Sequence, residues 1–309
     1  MGVPLDLNFV RLEFTLQLEQ NGEDRYALFG IKSFFEEAFM QTVDCTRNVG
    51  MSASPCQCPY HQTFSQSLTT DPAALKRYQK PSLPFIFQIP VLPCLPNRGS
   101  SVELGLVLTG RAVNLLNEFV AAVQVMLGDH RLRKKTALSL VKVESSDYGG
   151  VRTQLREEGG RWSSGNLATL SLDGVLGSSV ISSNSVTISI VSPLRLMAEG
   201  KPLPELSFSP FIRSLMRRVS SMAYYSGGNE AEFDYKWLSD QSRLVSSSLN
   251  ALQWEAWGGK WSGFTGRATF TGDLTEYHPF LLAGEFLHLG KGATFGLGRY
   301  ILERAGESL

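Results

Sequence analysis

The sequence is poor in histidine and cysteine, carries no excess of either charge and has no long apolar run. Only four histidines and four cysteines occur among its 309 residues, and each scarcity excludes something. Proton transfer by imidazole near neutral pH has only His61, His130, His278 and His288 to draw on. Cys45, Cys56, Cys58 and Cys94 are too few and too clustered for the disulfide framework of a secreted domain. Lys plus Arg equals Asp plus Glu at 29 each, so a polyanion would have to be held by a local patch rather than by overall charge. No window approaches about 18 consecutive apolar residues, and no membrane span is expected. The opening "MGVPLDLNFVRLEF" has neither the basic end nor the apolar run of a secretory signal. A cytoplasmic protein is the expectation.

What is present is strongly patterned. Hydrophobic residues at 43% and charged ones at 19% are values of a globular chain. Residues 9–19, "FVRLEFTLQLE", alternate, with Val10, Leu12, Phe14, Leu16 and Leu18 sharing one face of a half-buried strand. In "FGIKSFFEEAFM", Ile31, Phe34, Phe35, Ala38 and Phe39 recur at helical spacing. Two extended runs follow, then a helix over "RAVNLLNEFVAAVQVMLG" with Gly128 as its stop, and a strand over "ALSLVKVE". This is a βαββαβ order. Residues 146–183 turn Ser- and Gly-rich and read as a connector carrying a hairpin. Beyond it the order recurs: "SVTISIVSP" as a strand, a helix opened by Ser209 and Pro210, two strands, a short helix over "LTEYHPFLLAGEF" and a last strand in "ATFGLGRYILE". Two tandem ferredoxin-like, RRM-like α+β domains, residues 1–145 and 184–309, are the simplest account.

The glycines concentrate in "LHLGKGATFGLGRYIL", residues 287–302, between that helix and the last strand. A P-loop needs G-x-x-x-x-G-K-[ST]; here the interval from Gly284 to Gly290 is one residue too long and Gly292 stands where Ser or Thr is required. No helical pattern follows to complete a dinucleotide fingerprint. Two readings remain. One is a tight turn between packed elements. The other is a concavity of glycine amides that binds an anion, with Lys291 and Arg299 adding charge beside it.

The same stretch, preceded by "GFTGRATFTGDLTEYHPFLLAGEF", resembles the C-terminal glycine-rich signature of the CRISPR-associated RAMP proteins, in particular the repeat-cleaving endoribonucleases of the sixth Cas family. The resemblance extends through "SPLRLMAEGKPLPELSFSPFIRSLMRRVSSM" and through "CQCPYHQTF" followed by "PFIFQIPVLP". It implies two RRM-related domains. It also implies a protein that binds the repeat of precursor CRISPR RNA and cuts it without a metal cofactor. In that cut a ribose 2′-OH attacks the adjacent phosphate, leaving a 2′,3′-cyclic phosphate and a 5′-OH. Carried over by position, Gly290, Lys291, Gly292, Gly296 and Gly298 would lie against the RNA backbone with Arg299 nearby. Arg131, Arg133, Lys134 and Lys135 would line an RNA stem. CRISPR repeat RNA is the implied partner, with other Cas effector subunits after cleavage. A non-cleaving RAMP subunit is the alternative.

Cleavage of this kind asks for a base at the 2′-OH and an acid at the leaving oxygen. His61, in the loop after the first helix, is the first candidate, and His288, beside the glycine loop, is the second. Cys45, Cys56 and Cys58, with Cys94 or His61, are chemically able to hold a structural zinc ion. A zinc-bound His61 would not serve as the base.

Overall fold

The computed structural model describes residues 7–43, 58–78, 81–158, 161–163, 167–178, 182–227 and 233–304. Two compact units divide the chain. One comprises Phe9–Thr69 and Leu83–Thr169, the other Met1–Asn8, Thr70–Ser82 and Leu170–Leu309. The change of unit falls at residue 170, inside the Ser/Gly-rich stretch 146–183. Thr70–Ser82 belongs to the second unit although the chain on either side of it belongs to the first.

In the N-terminal unit, strand β1 (Asn8–Leu18) leads to helix α1 (Lys32–Thr42), strands β2 (Phe85–Gln88) and β3 (Ser101–Thr109), helix α2 (Leu116–Gly128) and strand β4 (Leu138–Ser146), with a short β5 (Arg152–Gln154) at the edge. The strands are antiparallel and lie in the order β2-β3-β1-β4-β5. With β1 and β3 central, this is the ferredoxin-like arrangement. The alternation in β1 does what it forecasts, since Val10, Leu12, Phe14, Leu16 and Leu18 are all buried. Phe35 and Phe39 of α1 meet Phe119 of α2, and Phe35 sets its edge against Phe87 of β2 at 4.8 Å. Each such buried ring contributes about 1.5–3 kcal/mol. A separate hairpin pairs Arg156–Glu158 with Arg161–Ser163.

The C-terminal unit repeats the plan with strand β6 (Ser185–Leu194), helix α3 (Phe208–Met222), helix α4 (Tyr235–Gln241), strands β7 (Ser246–Trp257) and β8 (Trp261–Thr271), helix α5 (His278–Leu287) and strand β9 (Tyr300–Leu302). Its sheet order is β7-β8-β6-β9. Helix α3 starts two residues earlier than expected, with Ser207 rather than Ser209 at the N-cap. The Ser209 hydroxyl instead accepts a hydrogen bond from Ser242 at 2.8 Å. On α3, Phe208, Phe211, Ile212, Leu215, Met216 and Val219 are buried, a stripe at i, i+3, i+4 and i+7 that packs with α5 on the sheet. Gly284 of α5 sits where a Cβ would strike Leu215 and the Tyr300 hydroxyl, so the helix lies close on β9. Among the described residues no helix is long and apolar enough to cross a membrane.

Candidate nucleic-acid interface

The glycine loop, residues 288–299, is a folded scaffold with one open edge. Gly290, Gly292, Gly296 and Gly298 have φ of +88°, +84°, +87° and +63°, the left-handed region that side chains other than glycine rarely adopt. At Gly298 a Cβ would fall on the Leu289 carbonyl, and at Gly290 it would stand 2.6 Å from the Arg195 carbonyl oxygen. Most loop amides are already used: Lys291 donates to Arg195, Gly298 to Pro193, and Phe295 and Leu297 to Gly292. Ser192 ties the loop to β6, donating to the Gly296 carbonyl at 2.8 Å and accepting from the Arg299 amide at 2.9 Å.

The expected line of five loop residues against an RNA backbone therefore shortens. Gly296 and Gly298 are buried and bonded within the unit, whereas Gly290 is half-buried and Lys291 and Gly292 are exposed. The tight turn thus falls on Gly296 and Gly298, and the open edge on Gly290, Lys291 and Gly292. Arg299 also departs from expectation, because its charge bears on the buried His288 and on Glu285. It is not among the residues that line the adjoining cavity.

That cavity, of about 600 Å³, opens beside Gly290 and Lys291. Lys76, Arg77, Arg195, Arg217, Arg218 and Lys291 line it, and among the described residues no carboxylate does. Four remote pieces of chain of one compact unit, the glycine loop with Lys291 among them, bring these cations together. Asp71 and Pro72 open a short helix, Pro72–Arg77, whose last turn presents Lys76 and Arg77. On α3, Ser214, Arg217, Arg218 and Ser221 recur at i, i+3, i+4 and i+7, a stripe set off from the apolar one. Arg195 comes from the turn after β6.

Arg218 anchors this wall. Its Nε donates to the carbonyl of Leu287, the last residue of α5, at 2.8 Å, and its Nη1 to Ser82 at 3.3 Å. A cation at the C-terminal end of α5 meets the negative end of that helix. Its Nη2 has no partner among the described residues, nor does the Nε of Arg195. Burial pushes the Arg218 guanidinium down to about 10, so it stays charged at neutral pH. Six like charges around one cavity repel one another unless an anion joins them. Such a lining suits phosphates.

Neither sheet face offers an equivalent. On the N-terminal sheet, Glu13, Glu103 and Glu144 are matched by Arg152, with Arg11 beside Glu13 and Lys142 beside Glu144. On the C-terminal sheet, Thr187 meets Thr269, and Glu303 binds Ser189 and Arg267. Among the described residues no aromatic ring joins either network, and the exposed ring of the C-terminal sheet, Trp254 of β7, sets its edge against Phe264 of β8.

His288, the second expected catalytic residue, is fully buried at φ +55°. Neither of its ring nitrogens has a partner in hydrogen-bond geometry. Burial holds its pKa well below the usual imidazole range, and the charges of Arg299 and Arg218 add to that, with the Ala293 backbone opposing weakly. It is an interior residue with no exposed surface. His61 is half-buried on the helix Pro59–Phe64, its Nδ1 3.2 Å from Cys58 Sγ. Cys45 and Cys56 lie outside the described residues. Among the described ones Cys94 is exposed, and no three His, Cys, Asp or Glu side chains come together as a metal set.

The basic segment after α2 belongs to the N-terminal unit and the glycine loop to the other. Arg131 is bound by Asp129 and Glu37, and Arg133 by Glu19. Lys134 and Lys135 are exposed.

Two ferredoxin-like units, the second ending in a glycine loop beside a cationic cavity, define a RAMP protein. Comparison with known proteins agrees. The family model of the CRISPR-associated endoribonuclease Cas6 matches residues 188–300, and a model described as the AF_1859 N-terminal domain matches residues 7–166. Over residues 188–300 the chain thus resembles Cas6, and with its two ferredoxin-like units it is a Cas6-like, RAMP-type CRISPR protein. Among solved structures, a chain of a partial Cas6-RT-Cas1–Cas2 complex shares the fold over 98% of this chain, with a TM-score of 0.59 and 12% identity. This chain spans 47% of that one. Thermus thermophilus Cas6 matches over 96% of this chain and 99% of its own, with a TM-score of 0.54 and 14% identity. A Cas6 substrate mimic complex matches over the same 96% and 99% with a TM-score of 0.51 and 14% identity. No curated protein sequence matches the chain.

Proposed function

We propose that this chain binds CRISPR repeat RNA through the cationic cavity of its C-terminal unit and cleaves it to mature crRNA. The observation that carries the reading is the lining of six cations, without a carboxylate among the described residues, against the exposed Gly290–Gly292 edge of the loop. Guanidiniums and a lysine placed this way hold backbone phosphates.

The chemistry proposed is metal-independent. The 2′-oxygen forms a bond to phosphorus as its proton leaves to a base, and the bond from phosphorus to the 5′-oxygen breaks as that oxygen takes up a proton. A 2′,3′-cyclic phosphate and a 5′-OH result. His61 is the base we assign, its ring oriented by Cys58. No cofactor is required, and a structural zinc ion would compete with this role for His61. Retention of the product in a complex with other Cas proteins fits a relative solved in a Cas6-RT-Cas1–Cas2 complex.

A second reading is a RAMP subunit that binds RNA without cutting it. It is favoured by the burial of His288, which leaves the cationic cavity without a histidine in its lining. Labelled cognate repeat RNA, incubated with the protein in EDTA, separates the two. A 3′ fragment bearing a 5′-OH supports cleavage, tight binding of intact RNA supports the second reading, and absence of binding refutes both.

A further inference from the structure

Beside the phosphate cavity the same unit holds a second one of about 260 Å³ with different walls. The two share Arg77, Tyr78 and Arg217. Helix α3 explains the adjacency. Arg213, Met216, Arg217 and Ser220 form a stripe at i, i+3, i+4 and i+7, offset by one residue from the stripe that lines the larger cavity. Arg217 sits at the border and serves both.

The smaller cavity adds flat and apolar surface to its cations. Tyr78, Tyr235 and Met216 supply it, and the hydroxyls of Ser220 and Ser239 stand in the same wall. Both rings are fixed before anything binds. Tyr78 stacks on Tyr224 with centroids 5.2 Å apart and planes at 27°, and its carbonyl accepts a hydrogen bond from the Tyr225 hydroxyl. The Tyr235 hydroxyl is hydrogen-bonded to Ser220 at 2.7 Å. Rings held this way lose little freedom on stacking a ligand. An occupant must be flat, hydrogen-bonding and attached to an anion that lies in the neighbouring cavity.

We propose that this cavity takes one unpaired nucleobase of the bound RNA, while the phosphate of the same nucleotide lies among the cations of the larger cavity. The proposal rests on the RNA reading above and adds to it a position at which the RNA must be single-stranded and splayed. Arg217 and Arg77 would bridge base and phosphate. Charge complementarity favours a nucleotide over an apolar peptide, because three guanidiniums surround the cavity.

The test is a set of cognate repeat RNAs, each lacking the base at one position, titrated against the wild type, Tyr235→Leu and Ser239→Trp. Ser239 lies on α4, half-buried, so the Trp variant fills the cavity from its rim without touching the core. The wild type should bind RNA lacking the base at one position about 10-fold more weakly than intact RNA. Both variants should lose that difference while keeping the wild-type salt dependence, since phosphate contacts remain. Either variant binding every RNA as the wild type does would overturn the base cavity and leave the RNA reading standing. Absence of salt-dependent binding by the wild type would overturn both. Thermal melts of the variants identify any loss of fold, and Ser239→Trp keeps the test valid if Tyr235→Leu unfolds.

Discussion

The buried His288 makes stability depend on pH in a way that can be worked out in advance. Its folded pKa lies well below the usual value, burial being the main cause, whereas in the unfolded chain the imidazole titrates near about 6.5. Below that value the unfolded state binds a proton that the native state refuses. Stability is therefore full above about pH 6.5 and is lost as pH falls, at up to about 1.4 kcal/mol per pH unit. Between about pH 7 and pH 5 the integrated loss is about 2 kcal/mol while the native imidazole stays neutral. Asp129, Glu103 and Glu303 also have lowered pKa values, so they destabilise on acidification too, but in a more acid window. Trp237, Trp254, Trp257 and Trp261 all belong to the C-terminal unit, so tryptophan emission reports chiefly on its unfolding in urea. His288→Asn is the control, because Asn does not titrate and tolerates positive φ. Wild type minus variant should shrink by about 2 kcal/mol across that interval. Parallel pH profiles would refute the neutral, buried imidazole.

Other expectations concern the loop and the RNA. Gly298→Ala should cost about 3 kcal/mol, from the positive φ and from the strain or loss of its hydrogen bonds with Leu289 and Pro193. Gly292→Ala, exposed and meeting the Leu297 side chain with its flexible Cδ1 nearest, should cost about 1 kcal/mol in the same urea assay; equal losses would contradict the division between scaffold and open edge. Arg217→Gln and Lys291→Ala should each lower the slope of log affinity against log salt by about 1, while Arg131→Ala, whose charge is already matched by two carboxylates, should leave it nearly unchanged. In single-turnover assays His61→Ala should abolish cleavage of repeat RNA at unchanged affinity, and undiminished cleavage would remove His61 as the base.

Much of the fold was legible because its elements are amphipathic at their own period. Residues 9–19 could bury Val10 to Leu18 only as a strand, and Phe208 to Val219 only as a helix. The site was legible in fragments. The glycine cluster announced positive φ, but residue type alone does not say which glycines face solvent; that follows from which amides Arg195, Pro193 and Ser192 claim. His288 looked accessible from its place beside the loop, yet it is the first residue after α5 and turns into the core at φ +55°. Lys76 and Arg77 had no signal at all. They sit in a short helix about 140 residues from α3 in sequence, and only the packing of Ala74 and Tyr78, both buried, carries them into the second unit.

The distribution of charge explains how a neutral chain makes a site for a polyanion. The N-terminal sheet interleaves Glu13, Glu103 and Glu144 with Arg11, Lys142 and Arg152, so its field cancels within a few ångströms. The basic segment after α2 is likewise held in part by Asp129, Glu37 and Glu19. Cations whose charge is matched nearby add little to a long-range potential, because each pair is a dipole that salt screens readily. No carboxylate stands among the described residues that line the large cavity, and Arg218 there is half-buried, where screening is weaker. Binding should accordingly be governed by the local lining and not by net charge. Reversing exposed carboxylates far from the cavity would change the isoelectric point while leaving RNA affinity nearly constant, whereas one added carboxylate at Ser214, on the lining stripe of α3, should weaken binding by about 10-fold or more.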